Sequence, residues 1–155
     1  MSKKTNAVEV SDNRDFSIYE TMVGDDAREM ILIPEGIFTR GSDSGGYDEK
    51  PAQEIYLDAF YIDKYEVSNS DYKKFIEAGG YRNSQYWVDM DFIKNGLSLS
   101  WEKAKSFMID TTGVTGPSTW EVGTFLEGQG DYPVTGISWY EAVAYARYKG
   151  NILPP

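Results

Sequence analysis

The sequence contains neither cysteine nor histidine. Those two absences exclude, within these residues, disulfide staples, thiolate nucleophiles, Ser-His and Cys-His dyads, and the usual zinc or copper donor sets. A metal held here would be a hard cation on carboxylates and carbonyls. Basic residues are also scarce: 15 Lys and Arg stand against 25 Asp and Glu, a formal net charge of -10. A surface of that sign repels phosphate backbones, which argues against nucleic acid as a partner. No apolar run approaches the roughly 18 to 20 residues that span a bilayer. The start, MSKKTNAVEVSDNRD, lacks the apolar core of a secretory signal. The expectation from these absences is a soluble, cytoplasmic chain with no membrane partner.

What is present is aromatic. Twelve Tyr and four Trp among 155 residues suit partly wet packing, with ring bodies buried and polar tips reaching a partner. The length fits about one domain. Residues 1–28 read as a polar, disordered lead-in, with Phe16, Ile18 and Tyr19 able to pack on a domain edge. Met30 to Phe38 reads as strand, turn, strand, with Pro34 and Gly36 at the corner. The densest run of strand-type residues follows, from Gln53 to Phe75. Ile55 and Leu57 share one parity and Phe60 and Ile62 the other, so a bulge or break is expected near Asp58-Ala59. Ser68 or Asn69 then caps a helix whose stripe is Tyr72, Phe75 and Ile76, and Gly79-Gly80 stops it.

Between these elements lies an Asp-Gly-Ser loop in which Asp43, Asp48 and Glu49 are candidate ligands for a hard cation. The loop does not match an EF-hand, and solvated turn chemistry is the plainer reading. Leu97 to Met108 carries a second helical stripe of Trp101, Ala104 and Met108, capped by Ser98 or Ser100. Thr112 to Thr119 is a Gly-Pro-Thr loop without regular structure. Ser138-x-x-Glu141 is a capping box opening a third helix, with Trp139, Ala142, Val143 and Ala146 expected inside and Gly150 at its stop. Trp101 and Trp139 therefore read as core, while Trp87 and Trp120, in loops, are open to surface exposure. The fold class is α+β: short strands, about three helices and much irregular loop.

The order of motifs resembles the sulfatase-modifying-factor family, also called the formylglycine-generating-enzyme-like domain. MILIPEGIFTRGS at Met30–Ser42 is similar to its opening block. Glu49–Phe75, with its FYIDKYEVSN core, is similar to the second. PVTGISWYEAVAY at Pro133–Tyr145 is similar to the third, and Gly150–Pro154 to the family's G-x-R-L-P. The insert from Tyr86 to Gly130 is similar to a branch attached to bacterial signalling and kinase proteins. The resemblance implies a C-type-lectin-like fold over residues 29–155. For complete members it implies copper-dependent, oxygen-using conversion of a sulfatase cysteine to formylglycine, with copper and calcium as cofactors and a protein or peptide as substrate.

The departures limit what carries over. Ile152 stands where the family has arginine, Pro155 where it has threonine, and Arg40 where it has methionine. The family's metal-binding cysteine pair and most of its calcium ligands lie beyond the L-P block, so no catalytic or cofactor-binding residue transfers to this sequence. The expectation is an N-terminal part of the domain that is truncated, lacks its C-terminal half and is inactive alone. Exposed apolar patches around Trp139, Val143 and Leu153 should accompany it. The alternative is a non-catalytic lectin-like binding or scaffolding module of a bacterial signalling protein. Asp63, Glu66 and Asn69 read as structural ties for the turn and helix cap.

Overall fold

The computed structural model describes residues 21–23 and 28–155. Phe16, Ile18 and Tyr19, and most of the stretch read as a lead-in, lie outside the described residues. The chain divides into two compact units, Met1–Lys64 and Tyr65–Pro155. Secondary structure is mixed, with seven short strands and three α-helices among the described residues. None of those helices is long and apolar enough to cross a membrane.

Among the described residues, the first unit holds strands and one 3-10 turn, Tyr47–Glu49. β1 (Thr21–Val23), β2 (Glu29–Ile33) and β5 (Phe60–Asp63) form one antiparallel sheet in the order β1-β2-β5. β3 (Gly36–Arg40) and β4 (Gln53–Leu57) form a separate antiparallel pair. Thr21–Val23 falls inside the segment expected to be disordered. Its β-branched ends suit a pleated edge, and it pairs in register from Thr21↔Ile31 to Val23↔Glu29. The break expected at Asp58-Ala59 is there. β4 ends at Leu57 and β5 begins at Phe60, and the two strands serve different sheets. Likewise β2 and β3, read as strand-turn-strand around Pro34, do not pair with each other. In β4, Ile55 and Leu57 are half-buried while Glu54 and Tyr56 are exposed, as period-2 alternation requires. Asp63 meets Arg28 at 3.1 Å and Lys64 meets Glu29 at 2.9 Å, so β5 is tied to both ends of the β2 entry.

The second unit holds the helices and the aromatic core. α1 (Asn69–Glu77) starts at Ser68, whose Oγ accepts from Asp71 N at 3.1 Å, and Tyr72 and Phe75 are fully buried. It ends in a Schellman turn: Gly79 N donates to Ile76 O and Gly80 N to Phe75 O. β6 (Phe92–Lys94) and β7 (Leu97–Leu99) form a hairpin, followed by α2 (Trp101–Lys105) capped by Ser100. The stretch from Leu97 thus divides between strand and a shorter helix. Asn95 (φ 50°) and Gly96 (φ 76°) adopt the left-handed pair that a two-residue hairpin loop demands, which holds Leu97 in the ladder.

α3 (Trp139–Tyr148) has the expected capping box on Ser138 and Glu141. Its inward face is rotated from the expected one. Glu141, Ala144, Tyr145 and Ala146 are buried, whereas Trp139 is 63% exposed and Val143 only half-buried. The capping box turns the Glu141 carboxylate inward, and the large Tyr145 ring follows it one turn on. Of the expected exposed patches, Trp139 stands out, and so does Ile152 beside the half-buried Leu153, at 86% exposure. The other two tryptophans, left open to surface exposure by the sequence, are inside. Trp87 and Trp120 are core, at 3% and 2% exposure, and Trp101, partly buried, stacks on Trp87 with ring centroids 4.2 Å apart. Trp120 sits in a loop, Trp87 at the end of a 3-10 turn and Trp101 at the start of α2, and together they fill space that long helices are not there to fill.

Candidate functional site

Three groups of polar residues in the second unit are held tightly enough to define chemistry. The first is a buried chain of hydroxyls and a carboxylate. Tyr72 Oη lies 3.0 Å from Tyr81 Oη, and Tyr81 donates to Glu141 Oε1 at 2.5 Å. Glu141 Oε2 accepts from Ser138 N at 2.7 Å and from Ser138 Oγ at 2.8 Å. Burial, with the negative charge on Glu141 adding to it, pushes both phenols above their ordinary value, so neither ionises in the working pH range. The network joins α1, the loop after it and α3. It has no nucleophile and no free acceptor, and its role is architectural.

The second group organises the loop between α2 and the end of the insert. Asp110 is buried, and its Oδ1 accepts from Thr112 N (2.8 Å), Thr112 Oγ1 (2.8 Å) and Val114 N (2.9 Å). Its Oδ2 accepts from Gly123 N at 2.7 Å. Desolvation alone would raise this carboxyl, but the bonds from Gly123, Thr112 and Val114 outweigh it and lower it from 3.8 to about 2. A group with a depressed folded value binds its proton more weakly in the native state. Its stabilisation is therefore complete above the unfolded value and lost as pH falls through the folded one. We expect the 110–124 loop to loosen between about pH 4 and pH 2 while the α1–α3 core persists. Amide exchange at Val114 and Gly123, followed by NMR against pH, checks this; equal protection at pH 2 and pH 5 would contradict it.

The third group lines a cleft of about 730 Å³. Asn69, the buried helix-start residue, donates from Nδ2 to Gln129 O at 2.9 Å and accepts from Trp120 Nε1 at 3.0 Å. It so pins both the floor, Trp120, and the wall, 125–133. Val122, Leu126 and Tyr132 stand at the rim with 72%, 64% and 60% of their surfaces exposed, beside Glu121 and Glu127. The sequence reading identified Asn69 as a structural tie and did not find the cleft. The available signal was Trp120-Glu121-Val122-Gly123, an aromatic followed by a Gly-containing tight turn.

The candidate cation ligands belong to the first unit. Asp43 spends Oδ1 on Ala52 N at 3.0 Å, and Asp48 and Glu49 lie exposed in a single 3-10 turn, Tyr47–Glu49. Among the described residues no three acidic side chains come together as a cation site. The donor set does not fit copper, because the sequence offers neither thiol nor imidazole. For calcium, the one carboxylate with saturated geometry, Asp110, is already filled by four protein donors. Asp63 and Asn69 act as ties, the former to Arg28.

Comparison with known proteins gives this framework a context. The family model described as "Sulfatase-modifying factor enzyme 1-like domain" matches residues 16–155. The chain is similar to the formylglycine-generating enzyme of Bos taurus, at 33% identity over 142 residues covering 81% of this chain and 37% of the relative. It is also similar to the formylglycine-generating enzyme of Thermomonospora curvata, at 28% over 151 residues, 90% of this chain and 50% of the relative. The serine/threonine-protein kinase pkn1 of Chlamydia caviae matches at 29% over 126 residues, 81% of this chain and 18% of the kinase. The chain thus spans half or less of the length of each of these relatives.

Proposed function

Since the chain belongs to the sulfatase-modifying-factor family, we propose that these residues supply the folded framework of a formylglycine-generating-enzyme-like domain and none of its redox chemistry. The observation that carries this reading is the empty donor inventory. Oxidising a substrate cysteine through copper needs soft ligands, and no thiol or imidazole exists in the sequence. In complete relatives a bound copper would supply the oxygen chemistry; here the residues contribute packing and loop geometry. The short strands and long irregular loops held by aromatics support a C-type-lectin-like architecture for the complete domain. The test is to offer the purified chain a cysteine-bearing sulfatase peptide with copper and oxygen, and the expected result is no aldehyde.

A second reading has its own support. Similarity to a chlamydial protein kinase over 126 residues favours a non-catalytic binding or scaffolding module in a signalling protein. That reading requires a surface able to take a partner. The 121–133 cleft, with its exposed apolar rim, is a surface of that kind.

A further inference from the structure

The tip of the cleft has a backbone that folding alone does not explain. Glu121 N donates to Thr124 O at 2.9 Å and Thr124 N returns the bond to Glu121 O at 3.1 Å, closing a two-residue loop. Its central residues, Val122 (φ 53°) and Gly123 (φ 71°), are both left-handed. Glycine or asparagine adopts that conformation readily, whereas a β-branched residue is strained there. The strain is held from behind, by Val122 N on Thr112 Oγ1 at 2.9 Å and Gly123 N on Asp110 Oδ2 at 2.7 Å. Yet the valine gains little burial in exchange, with 72% of its surface still in solvent. A strained, over-determined side chain presented to solvent points to contact with something outside the fold.

The surroundings define that something. Val122, Leu126 and Tyr132 offer an apolar surface over the Trp120 floor, while the wall threonines are held within the fold, Thr111 Oγ1 donating to Trp120 O, Thr119 Oγ1 to Thr135 O and Thr124 Oγ1 accepting from Lys73 Nζ. The charged residues of the lining itself are Glu121 and Glu127, and one lysine reaches the wall from α1, Lys73, whose Nζ is held on Thr124 Oγ1 at 3.1 Å. The whole chain carries a net charge of the same sign as the glutamates. An anionic ligand is repelled by this arrangement, and a purely apolar one leaves the carboxylates without a partner.

We propose that the 121–133 cleft binds a basic polypeptide segment of a partner protein. An apolar side chain of that segment seats against Val122, Leu126 and Tyr132, and a neighbouring lysine or arginine pairs with Glu121 or Glu127. The proposal rests on the second reading above, and its test does not depend on whether any relative is catalytic. Fluorescence anisotropy of the full 155-residue chain with a labelled decapeptide of alternating leucine and lysine provides it. Two control peptides replace leucine by serine or lysine by glutamate. The Leu/Lys peptide should bind about tenfold more tightly than either control. Val122→Gly should weaken that binding by about tenfold while raising the melting temperature, and Tyr132→Ala should weaken it comparably without disturbing the fold. Glu121→Gln with Glu127→Gln should flatten the salt dependence. Equal binding of the three peptides, or unchanged binding by Val122→Gly, would overturn the proposal. So would concentration-dependent dimerisation abolished by Val122→Gly, which would put a second copy in the cleft.

Discussion

Glu141→Ala is expected to destabilise the chain by about 3 kcal/mol, far more than loss of a helix cap alone. The capping contribution is the small part: Ser138→Ala should cost about 1 kcal/mol. The larger part is interior. Glu141 is 3% exposed and accepts from Tyr81 at 2.5 Å, and Tyr81 in turn is tied to Tyr72, which is fully buried on α1. Removing the carboxylate takes the acceptor from the part-buried Ser138 N–H, leaves the buried Tyr81 hydroxyl with Tyr72 Oη as its remaining partner, and opens a void between α1 and α3. Glu141→Gln separates these contributions. Its amide oxygen can still accept from Tyr81, but its NH2 then faces the Ser138 N–H, donor against donor, so about 2 kcal/mol should remain lost. Urea unfolding of the three variants checks the order. A Glu141→Ala loss no larger than that of Ser138→Ala would show that the network is not what joins the helices.

Gly80→Ala should cost about 3 kcal/mol, and for a reason unrelated to backbone freedom. In the Schellman turn that ends α1, the residue two beyond the cap ordinarily packs an apolar side chain on the last helical turn. Here the ring of Phe75, itself fully buried, already fills that space. A Cβ on Gly80 would lie 2.1 Å from its Cε2 and 2.4 Å from its Cδ2 and Cζ. The ring has nowhere to go, since it touches Tyr72, Tyr145 and Tyr148 with centroids within 5.8 Å. Gly80 O also receives Trp87 Nε1 at 2.8 Å, so moving the backbone instead would loosen a second core residue. The steric origin predicts a rescue. Phe75→Leu removes Cε2 and Cζ, two of the three offending atoms, and frees the shortened side chain to turn away, so the double variant should be more stable than the sum of the single losses by about 1 kcal/mol or more. Additive losses would refute the clash.

Which parts of this were legible in the sequence follows from how local their causes are. The caps at Ser68 and Ser138, the glycine stops and the break between β4 and β5 each depend on a few adjacent residues, and all were readable. The hairpin at Asn95-Gly96 was equally local and was overlooked because the apolar stripe from Trp101 drew Leu97–Leu99 into a helix. The face of α3 was misjudged for a different reason. A periodicity count gives Trp139 the weight of its hydrophobicity, whereas the buried carboxylate of Glu141 and the aromatic cluster around Tyr145 set the rotation. Burial of Trp87 and Trp120 was hidden because it depends on partners along the chain that no local pattern announces, the Trp101 ring for one and Asn69 for the other. The cleft was invisible because Asn69, 51 residues before Trp120 in the chain and 60 before Gln129, ties its floor to its wall. The lack of thiol and imidazole donors needed no structure, because it is two zero counts in the sequence.

The central claim is that these residues form a framework without oxidative chemistry of their own. Mass spectrometry of a cysteine-bearing sulfatase peptide, incubated aerobically with the purified full chain and copper, tests it most directly. The account predicts that the peptide keeps its thiol and that no aldehyde-reactive product forms above a protein-free control. Formylglycine appearing in proportion to the amount of chain, and absent without copper, would contradict it.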